Sequence, residues 1–273
     1  MALIATFNVN SVRARLDNIC AFLDERQPDV VLCQEIKAQE EQFPYKAFEE
    51  RGYHAKIKGQ KSYHGVAVLA REPVKVILDE LPQLEGEAQD FADDVQARYI
   101  EVEWRGARLA SIYLPNGNPL FDVQDGDALE SEKYRYKLDW MKRLHARFQT
   151  LLALEVPVIM GGDYNVIPRA IDCYDPKAWQ HDALYYPPTR AAYQRLLNLG
   201  YYDAFRVYNN QGHAYTFWDY QGGAYQKDQG IRIDHFLLSP LACDRMRSCW
   251  IDVKPRRLEK ASDHTPLMLE IDL

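Results

Sequence analysis

Short apolar segments with the length of β-strands run through the whole chain, and long amphipathic helices separate them at only a few places. Segments of strand character, several of them led by β-branched residues, lie at residues 3–8, 29–35, 53–58, 64–71, 74–81, 97–104, 108–114, 156–160, 231–238, 248–253 and 266–271. Helical spacing of apolar residues predicts helices at residues 12–23, 44–51, 132–154 and 191–199. A strongly mixed set of this size folds most simply as two sheets packed face to face with helices outside. We therefore predict an α/β fold with two mixed β-sheets.

Three details of this prediction concern segments that join the strands. Ser11 is expected to cap the first helix, which would begin at Val12. Residues 115–131 are polar and acidic and are predicted to form a loop. Residues 168–188 form an irregular segment that is long for a structureless connection, which is a reason to suspect a functional role.

The strand at residues 156–160 is followed directly by Gly161, Gly162, Asp163, Tyr164 and Asn165. If the chain stays extended there, alternation places the side chains of Asp163 and Asn165 on the same side. A carboxylate beside a carboxamide suits activation of a water next to a phosphate, and glycines would leave the phosphate room. The alternative is an Asx-type turn, in which both side chains bond only their own backbone. This stretch alone favours the turn.

Other polar residues also lie at, or just beyond, the ends of apolar segments, or interrupt one. They are Asn8, Glu35, Tyr113, Asp234, Asp263 and His264. Any one of them alone is typical of a cap or a turn. Asp234 is the exception, because it interrupts a buried run and a buried carboxylate is costly unless it is paired. His264 is a candidate partner, and convergence of the whole set on one rim predicts a functional site.

The chemistry that this set predicts is phosphodiester hydrolysis. Hard oxygen ligands such as Glu35 and Asp263, helped by Asn8 or Asn10, suit Mg²⁺ or Mn²⁺ and not zinc. The metal would polarise a phosphoryl oxygen while one carboxylate takes a proton from water. The sequence contains no P-loop, no glycine-rich nucleotide fingerprint and no nucleophile elbow that would indicate another reaction.

The net charge of −7 argues against a nucleic-acid partner until its distribution is considered. Residues 85–94 and 122–132 each contain five acids and no base, and without these ten acids 33 basic residues face 30 acidic ones. Basic clusters such as Lys254, Arg256, Arg257 and Lys260 are most simply solvated surface. Composition therefore permits a nucleic-acid partner without indicating one.

Compartment and domain organisation follow from what the sequence lacks. No apolar run approaches the roughly 18 residues of a membrane span, and residues 1–7 lack the basic region of a signal peptide. The five cysteines are widely spaced without a Cys-x-x-Cys pair, which fits a reducing compartment. Because no linker of Gly, Ser or Pro interrupts the pattern, we expect one cytoplasmic domain over residues 1–273, with no membrane partner.

Five motifs follow each other in an order typical of one family: Thr6 to Arg15, Leu32 to Lys37, Gly161 to Asn165, Arg232 to Ser239 and Ser262 to Pro266. The series resembles the exonuclease III family of DNA-repair nucleases, within the endonuclease/exonuclease/phosphatase superfamily. The resemblance runs from residue 4 to residue 271. The block from Asn8 to Arg13, Lys37, and the run Tyr215 to Trp218 are similar to the exonuclease III branch in particular.

The resemblance implies a four-layered α/β sandwich and a divalent-metal nuclease of double-stranded DNA. Such enzymes remove nucleotides from 3′ ends, trim blocked 3′ termini and incise 5′ to abasic sites. The implied partner is DNA with abasic sites or blocked 3′ ends, and the implied state is a monomer. A phospholipid, an inositol phosphate or RNA is the alternative substrate, and a catalytically silent scaffold is the alternative class.

The resemblance also implies roles for single residues. Glu35 would hold the metal with help from Asn8, and Asp163 would activate the water, oriented by Asn165. The full set assigned to the metal site is Asn8, Glu35, Asp163, Asn165, Asp263 and His264. The set assigned to catalysis is Tyr113, Asp163, Asn165, Asp234 and His264, in which His264, supported by Asp234, contacts the scissile phosphate and Tyr113 assists the phosphate or the leaving group.

Four further residues would contact DNA. Arg13 and Lys37 match positions that touch the DNA backbone, and Phe217 and Trp218 would line the pocket for a sugar without its base. The acidic segment 122–132 is expected to face away from DNA or bend aside. Ile231 and Ile233 stand where some relatives place bulkier residues beside the pocket, a departure that bears on the balance between exonuclease and abasic-site activity.

Overall fold

A computed structural model of the chain describes residues 1–84, 94–124 and 127–273. Over these residues, the first of two large sheets contains six strands in the order β13-β14-β1-β2-β4-β3. These strands are β1 (Ala2–Asn8), β2 (Val30–Gln34), β3 (His54–Lys58), β4 (Val66–Ala70), β13 (Met246–Ile251) and β14 (Leu267–Ile271). Strands β1 and β2 are parallel and the other neighbours are antiparallel, so the sheet is mixed.

The second large sheet has six described strands in the order β11-β12-β10-β7-β6-β5. They are β5 (Lys75–Leu78), β6 (Tyr99–Trp104), β7 (Ala107–Tyr113), β10 (Val158–Asp163), β11 (Tyr202–Asp203) and β12 (Asp234–Leu238). Strands β7 and β10 are parallel, and β10 and β12 are antiparallel. This sheet is therefore also mixed.

The helices of the described residues belong mostly to the outer layers. They are α1 (Leu16–Arg26), α2 (Tyr45–Glu49), α3 (Glu132–Leu152), α4 (Pro176–Trp179), α5 (Pro187–Asn198), α6 (Ala204–Tyr208) and α7 (Pro240–Cys243). None of them is both long enough and apolar enough to cross a membrane.

Three apolar cores separate four layers. The central core lies between the two sheets and includes Ile4, Leu32, Leu109, Ile159 and Phe236. A second core packs the outer face of the second sheet against α3 and α5, and a third packs the outer face of the first sheet against α1 and α2. The predicted sandwich of two mixed sheets with helices outside is confirmed.

The two glycines of β10 have a packing reason that the sequence did not suggest. A Cβ on Gly162 would lie 2.0 Å from the carbonyl oxygen of Ile112 in β7, and a Cβ on Gly161 would lie 2.5 Å from the Phe236 ring. The strand continues through both glycines to Asp163. Close contact inside the sheets, rather than room for a phosphate, therefore requires glycine here.

The first helix begins at Leu16 and not at Val12, so Ser11 is not its N-cap, although the Ser11 Oγ accepts a hydrogen bond from the Ala14 N–H in the turn before the helix. Asn10 and Ser11 both have positive φ angles, 43° and 87°. This left-handed backbone turns the chain away from the end of β1 before the helix starts. The reversal brings Asn10 beside the ends of the strands.

The loop predicted at residues 115–131 is wrong in part. Strands β8 (Phe121–Gln124) and β9 (Asp127–Glu130) pair as an antiparallel hairpin. Residues 125–126 of the acidic segment 122–132, and residues 85–93 of the other acidic segment, lie outside the described residues.

The long irregular segment at residues 168–188 contains ordered turns. A 3₁₀ turn at Ala170–Asp172 and the short helix α4 interrupt it. Asp172 is completely buried and binds the guanidinium groups of Arg206 and Arg232 at 2.5 and 2.7 Å. Asp203 binds Arg232 at 2.8 Å. These contacts anchor the segment under β12, whose strand pairing begins at Asp234 and not at residue 231.

Candidate active site

Three predicted site residues stand side by side across the second sheet. Tyr113 at the end of β7 is in register with Asp163 at the end of β10, and Asp163 is in register with Asp234 at the start of β12. Directly paired residues point to the same face of a sheet. Strand register alone therefore gathers a phenol and two carboxylates at one edge.

Asp163 is followed by a turn and not by extended chain. Asn165 has a φ of 49°, and its backbone N–H donates to Asp163 Oδ1 at 2.9 Å. The Asx turn that this stretch alone favours is therefore present at Asp163, but the Asn165 side chain does not bond its own backbone. The turn occupies only one carboxylate oxygen, because Oδ2 accepts a hydrogen bond from Asn8 Nδ2 at 3.0 Å.

Asn8 connects the two sheets at this edge. It is completely buried at the end of β1, and its Nδ2 donates to Glu35 Oε1 at 3.0 Å as well as to Asp163. Burial alone would raise the pKa of Glu35, but Lys37 and the Asn8 amide outweigh it and lower that pKa. Glu35 is therefore a carboxylate at neutral pH.

His264 and Asp234 form the predicted pair. His264 Nδ1 lies 2.8 Å from Asp234 Oδ2, and both side chains are buried. Burial disfavours the charged ring, but the Asp234 carboxylate outweighs it and raises the pKa of His264 to about 10. The ring is thus an imidazolium at neutral pH, with its Nε2 3.8 Å from Asp163 Oδ2.

The environment of Asp163 suits a general base. Burial raises the pKa of this carboxyl to about 7; the His264 imidazolium opposes the shift, and the charges of Asp234 and Glu35 add to it. A base works best when its pKa lies near the working pH.

Within the described part of the chain, Glu35, Asp163 and His264 form a cluster that could hold a metal ion, with His264 as a ligand only after its Nε2 loses a proton. Each offers one atom within 4.8 Å of the others. Two of the three are carboxylates, and Oδ1 of the adjacent Asp234 is buried without a hydrogen-bond partner. Oxygen-rich donor sets of this kind fit a hard divalent cation.

Asn10, Lys37 and Asp263 form a second ring around this cluster. Lys37 Nζ donates to Asn10 Oδ1 at 2.6 Å and pairs with Glu35 Oε2 at 2.8 Å. Asn10 Nδ2 donates to Asp263 Oδ1 at 3.0 Å. Asp263, which was predicted as a metal ligand, therefore lies outside the three-residue cluster. Lys37, which was predicted to contact DNA, is paired with Glu35.

The Asn165 side chain is held by the protein. Its Nδ2 donates to the carbonyl of Leu114 at 2.9 Å, and its Oδ1 accepts from Asn116 Nδ2 at 3.2 Å. Asn116 was not predicted as a site residue, although it follows Tyr113 by three positions at the end of a strand. The same signal, a polar residue just after a strand, could have found it.

The two predicted pocket aromatics occupy different environments. The Phe217 ring packs edge-on against His264, with ring centroids 5.0 Å apart. Trp218 is almost completely buried; its indole N–H donates to Asp228 and its ring packs on Tyr215 and Tyr225. Phe217 therefore faces the site directly, and Trp218 supports the loop behind it.

Tyr113 has neighbours that the sequence did not indicate. The Arg98 guanidinium lies 4.8 Å from the centre of its ring and the His64 ring lies 5.9 Å away. Burial, followed by the charge of Glu35, raises the pKa of the Tyr113 phenol well above its usual range. The phenol therefore keeps its proton as a hydrogen-bond donor.

Arg13, which was predicted to contact DNA, is exposed on the turn that precedes α1.

Comparisons with known proteins agree with this geometry. Residues 5–264 match the model of the Endonuclease/Exonuclease/phosphatase family. The chain is 32% identical to Exodeoxyribonuclease III of Haemophilus influenzae over 276 residues, which covers 97% of this chain and 98% of the relative.

Two solved structures share the whole fold. An AP endonuclease from Archaeoglobus fulgidus superposes with a TM-score of 0.87 at 34% identity and full coverage of both chains. The 3′ phosphatase NExo from Neisseria, bound to product DNA hairpin, has a TM-score of 0.90 at 32% identity, again with full coverage of both chains.

Proposed function

Because the chain belongs to the endonuclease/exonuclease/phosphatase family, we propose that it is a divalent-metal-dependent phosphodiesterase of double-stranded DNA that acts in base-excision repair. Its activities are those of an exodeoxyribonuclease III-type hydrolase: 3′–5′ exonuclease, trimming of blocked 3′ ends and incision at abasic sites. The relatives named as Exodeoxyribonuclease III, AP endonuclease and 3′ phosphatase support this assignment. The observation that carries it is the contact of Asn8 with both Glu35 and Asp163, beside the His264–Asp234 pair.

The cation would be Mg²⁺ or Mn²⁺, and Glu35 and Asp163 would hold it with their carboxylates, which Asn8 orients. When bound, such a cation polarises a phosphoryl oxygen and neutralises the charge that develops on the phosphate. Direct ligation by Asn165, Asp263 or His264 stays a prediction from the sequence resemblance.

The protein's own groups supply the proton transfers. Asp163 takes the proton from the attacking water, while its Asx turn and the Asn8 amide hold the carboxylate in one orientation. His264 donates from Nε2 to the phosphate because Asp234 holds Nδ1 and keeps the ring charged. Tyr113 donates its phenolic proton toward the phosphate or the leaving oxygen. Hydrogen-bond donors fixed in advance at the phosphate stabilise the pentavalent state.

Arg13 and Lys37 contact the DNA backbone, and Phe217 receives the sugar that lacks a base, with Trp218 behind it.

The protein works as a monomeric cytoplasmic domain over residues 1–273. Support for one domain comes from the site itself, whose residues are drawn from positions 8 to 264 along the chain.

A substrate panel tests the proposal. The protein is incubated with Mg²⁺ and with three substrates: a duplex with one abasic site, a duplex with a recessed labelled 3′ end, and a phosphoinositide. We expect cleavage of both duplexes and no release of phosphate from the lipid. Cleavage of the phosphoinositide alone would show that the site acts on another class of substrate. No turnover of any substrate would favour a catalytically silent scaffold.

A further inference from the structure

Lys137 is a completely buried lysine that the mechanism above does not use. It lies on α3, and no ion pair joins it to a carboxylate within the described residues. Its Nζ donates instead to two carbonyl oxygens, that of Asn165 at 2.7 Å and that of Asn116 at 3.0 Å. Burial lowers its pKa to about 7.

These two carbonyls belong to the two turns that carry site residues. Asn116 lies in the turn after β7, three residues beyond Tyr113, and Asn165 lies in the turn after β10, two residues beyond Asp163. The turns are also joined directly, because Asn116 Nδ2 donates to Asn165 Oδ1. A continuous chain of hydrogen bonds thus runs from Lys137 through Asn165 to Asp163 Oδ1.

Packing around the lysine stem is close. Gly117 has a φ of +88°, and a Cβ there would lie 2.6 Å from Lys137 Cδ. The turn after β7 therefore passes directly over the aliphatic stem, so the position of the ammonium group is fixed by packing as well as by its acceptors.

Stability does not explain a charge at this position. A buried ammonium group without an ion-pair partner is costly to desolvate, and its two hydrogen bonds offset only part of that cost, as its lowered pKa indicates. A methionine would fill nearly the same space. What it could not do is donate to both carbonyls at once.

We propose that Lys137 is a positioning residue of the phosphodiesterase site, which joins the turns after β7 and β10 so that Asp163 and Asn165 keep the orientation needed at the phosphate. The inference rests on the proposed function for its kinetic test, and on the hydrogen bonds alone for its structural test.

The kinetic test compares Lys137→Met with Arg147→Met, a matched change on the same helix. Arg147 is paired with the buried carboxylate of Glu101 at 2.7 Å. Lys137→Met is expected to lower kcat for incision of an abasic-site duplex by about 10²-fold, because small displacements of reacting groups have effects of that size. KM should stay within about twofold, and Tm should fall by no more than a few degrees, because two carbonyl oxygens lose a donor while the cost of the buried charge is removed. Arg147→Met should lower Tm without changing kcat.

A kcat of Lys137→Met within about threefold of the wild type would overturn the proposal, as would a fall in Tm that accounts for the lost activity. If Lys137→Met does not fold, Lys137→Gln takes its place with the same kinetic expectation, since its shorter amide cannot reach both acceptors.

The structural test does not need turnover. Hydrogen exchange of the backbone amide of Asn165 and of its side-chain amide is measured by NMR in wild type and variant. Both amides should exchange at least about tenfold faster in Lys137→Met, because the turn opens more often when its carbonyl loses the ammonium donor. Unchanged exchange would overturn the positioning role. If the wild type cleaves no DNA but exchange still accelerates, the proposed function fails and the positioning role of Lys137 stands.

Discussion

Asp163 performs two separate tasks with its two carboxylate oxygens. Oδ1 accepts from the backbone of Asn165 and fixes the turn, while Oδ2 faces Asn8 and lies 3.8 Å from His264 Nε2. A residue that closes its own turn can thus also serve chemistry. The sequence posed these two interpretations as alternatives, and the geometry shows that they are compatible.

The change Asp163→Asn separates the two tasks. Asparagine keeps an oxygen for the turn but cannot take a proton from water, so kcat should fall by on the order of 10²–10⁴-fold. The fold should persist, because removal of a buried carboxyl with a raised pKa relieves a burial cost. Steady-state kinetics and thermal unfolding measure both effects. Near-full activity would remove Asp163 as the base.

Glu35→Gln tests the metal assignment. The amide cannot supply the negative charge that a divalent cation prefers, so the Mg²⁺ concentration for half-maximal activity should rise by about tenfold or more. Glu40→Gln, which changes an exposed carboxylate that accepts a hydrogen bond from Tyr45, is the matched control. Superimposable Mg²⁺ titrations of wild type and Glu35→Gln would speak against ligation by Glu35.

Residue-level prediction from the sequence succeeded where a buried polar group demanded a partner. The Asp234–His264 pair was expected because a carboxylate interrupts an apolar run, and the structure places the two atoms 2.8 Å apart. Lys137 was not found, because one lysine on an amphipathic helix is indistinguishable from a solvated one until the turns that cover it are known.

At the scale of single elements, β10 is the strand that presents the site, and its glycines fix its distance from β7. Gly162→Ala should lower the unfolding free energy by about 1–3 kcal/mol or more, because the added Cβ would lie 2.0 Å from the Ile112 carbonyl oxygen. Chemical denaturation measures the change. Gly212→Ala, where a Cβ would only reach the Ile171 carbonyl oxygen at 3.9 Å, should be nearly neutral. Equal effects of the two substitutions would refute the packing explanation.

The segment at residues 168–188 is anchored by a buried ion cluster that should control acid stability. Burial disfavours the Asp172 carboxylate, but Arg232 and Arg206 outweigh it and lower its pKa to about 2. A carboxyl whose pKa is lower in the folded state adds stability above its unfolded pKa of about 4 and loses it as pH falls toward 2. The lowered pKa corresponds to about 2 kcal/mol.

Asp172→Asn should therefore destabilise the protein by at least about 2 kcal/mol at pH 7, and the difference from wild type should shrink as pH falls toward 3. Urea unfolding between pH 3 and pH 7 measures this difference. Asp272→Asn, which breaks an exposed pair with Arg247, should change stability little at any pH. A gap that does not depend on pH would show that Asp172 acts by packing and not by charge.

Strands were predictable and their ends were not. The apolar runs located the main strands, but helix α1 starts late because Asn10 and Ser11 adopt a left-handed backbone that no residue pattern announced. The hairpin of β8 and β9 was missed because the alternation of apolar and polar residues in β8 spans only four residues and lies beside a strongly acidic run. Both errors lie in segments that local sequence determines weakly.

At the scale of the whole molecule, the four layers serve to bring strand ends from two sheets to one edge. Asn8 and Glu35 come from the first sheet, and Tyr113, Asp163 and Asp234 from the second. Family and fold could be predicted from ordered motifs that span the chain, and the structure and the relatives confirm both. The contacts of Asn10, Lys37 and Asp263 around the cluster could not be predicted from the sequence, because they join residues that are far apart along the chain.

The central claim is metal-dependent hydrolysis of DNA at this edge, and one measurement tests it most directly. A labelled duplex with a single abasic site is incubated with the protein in EDTA, and then with excess Mg²⁺. We predict no incision in EDTA, and on addition of Mg²⁺ a nick on the 5′ side of the abasic site that leaves a 3′-hydroxyl end. Incision in EDTA, or a nick on the 3′ side, would contradict the account.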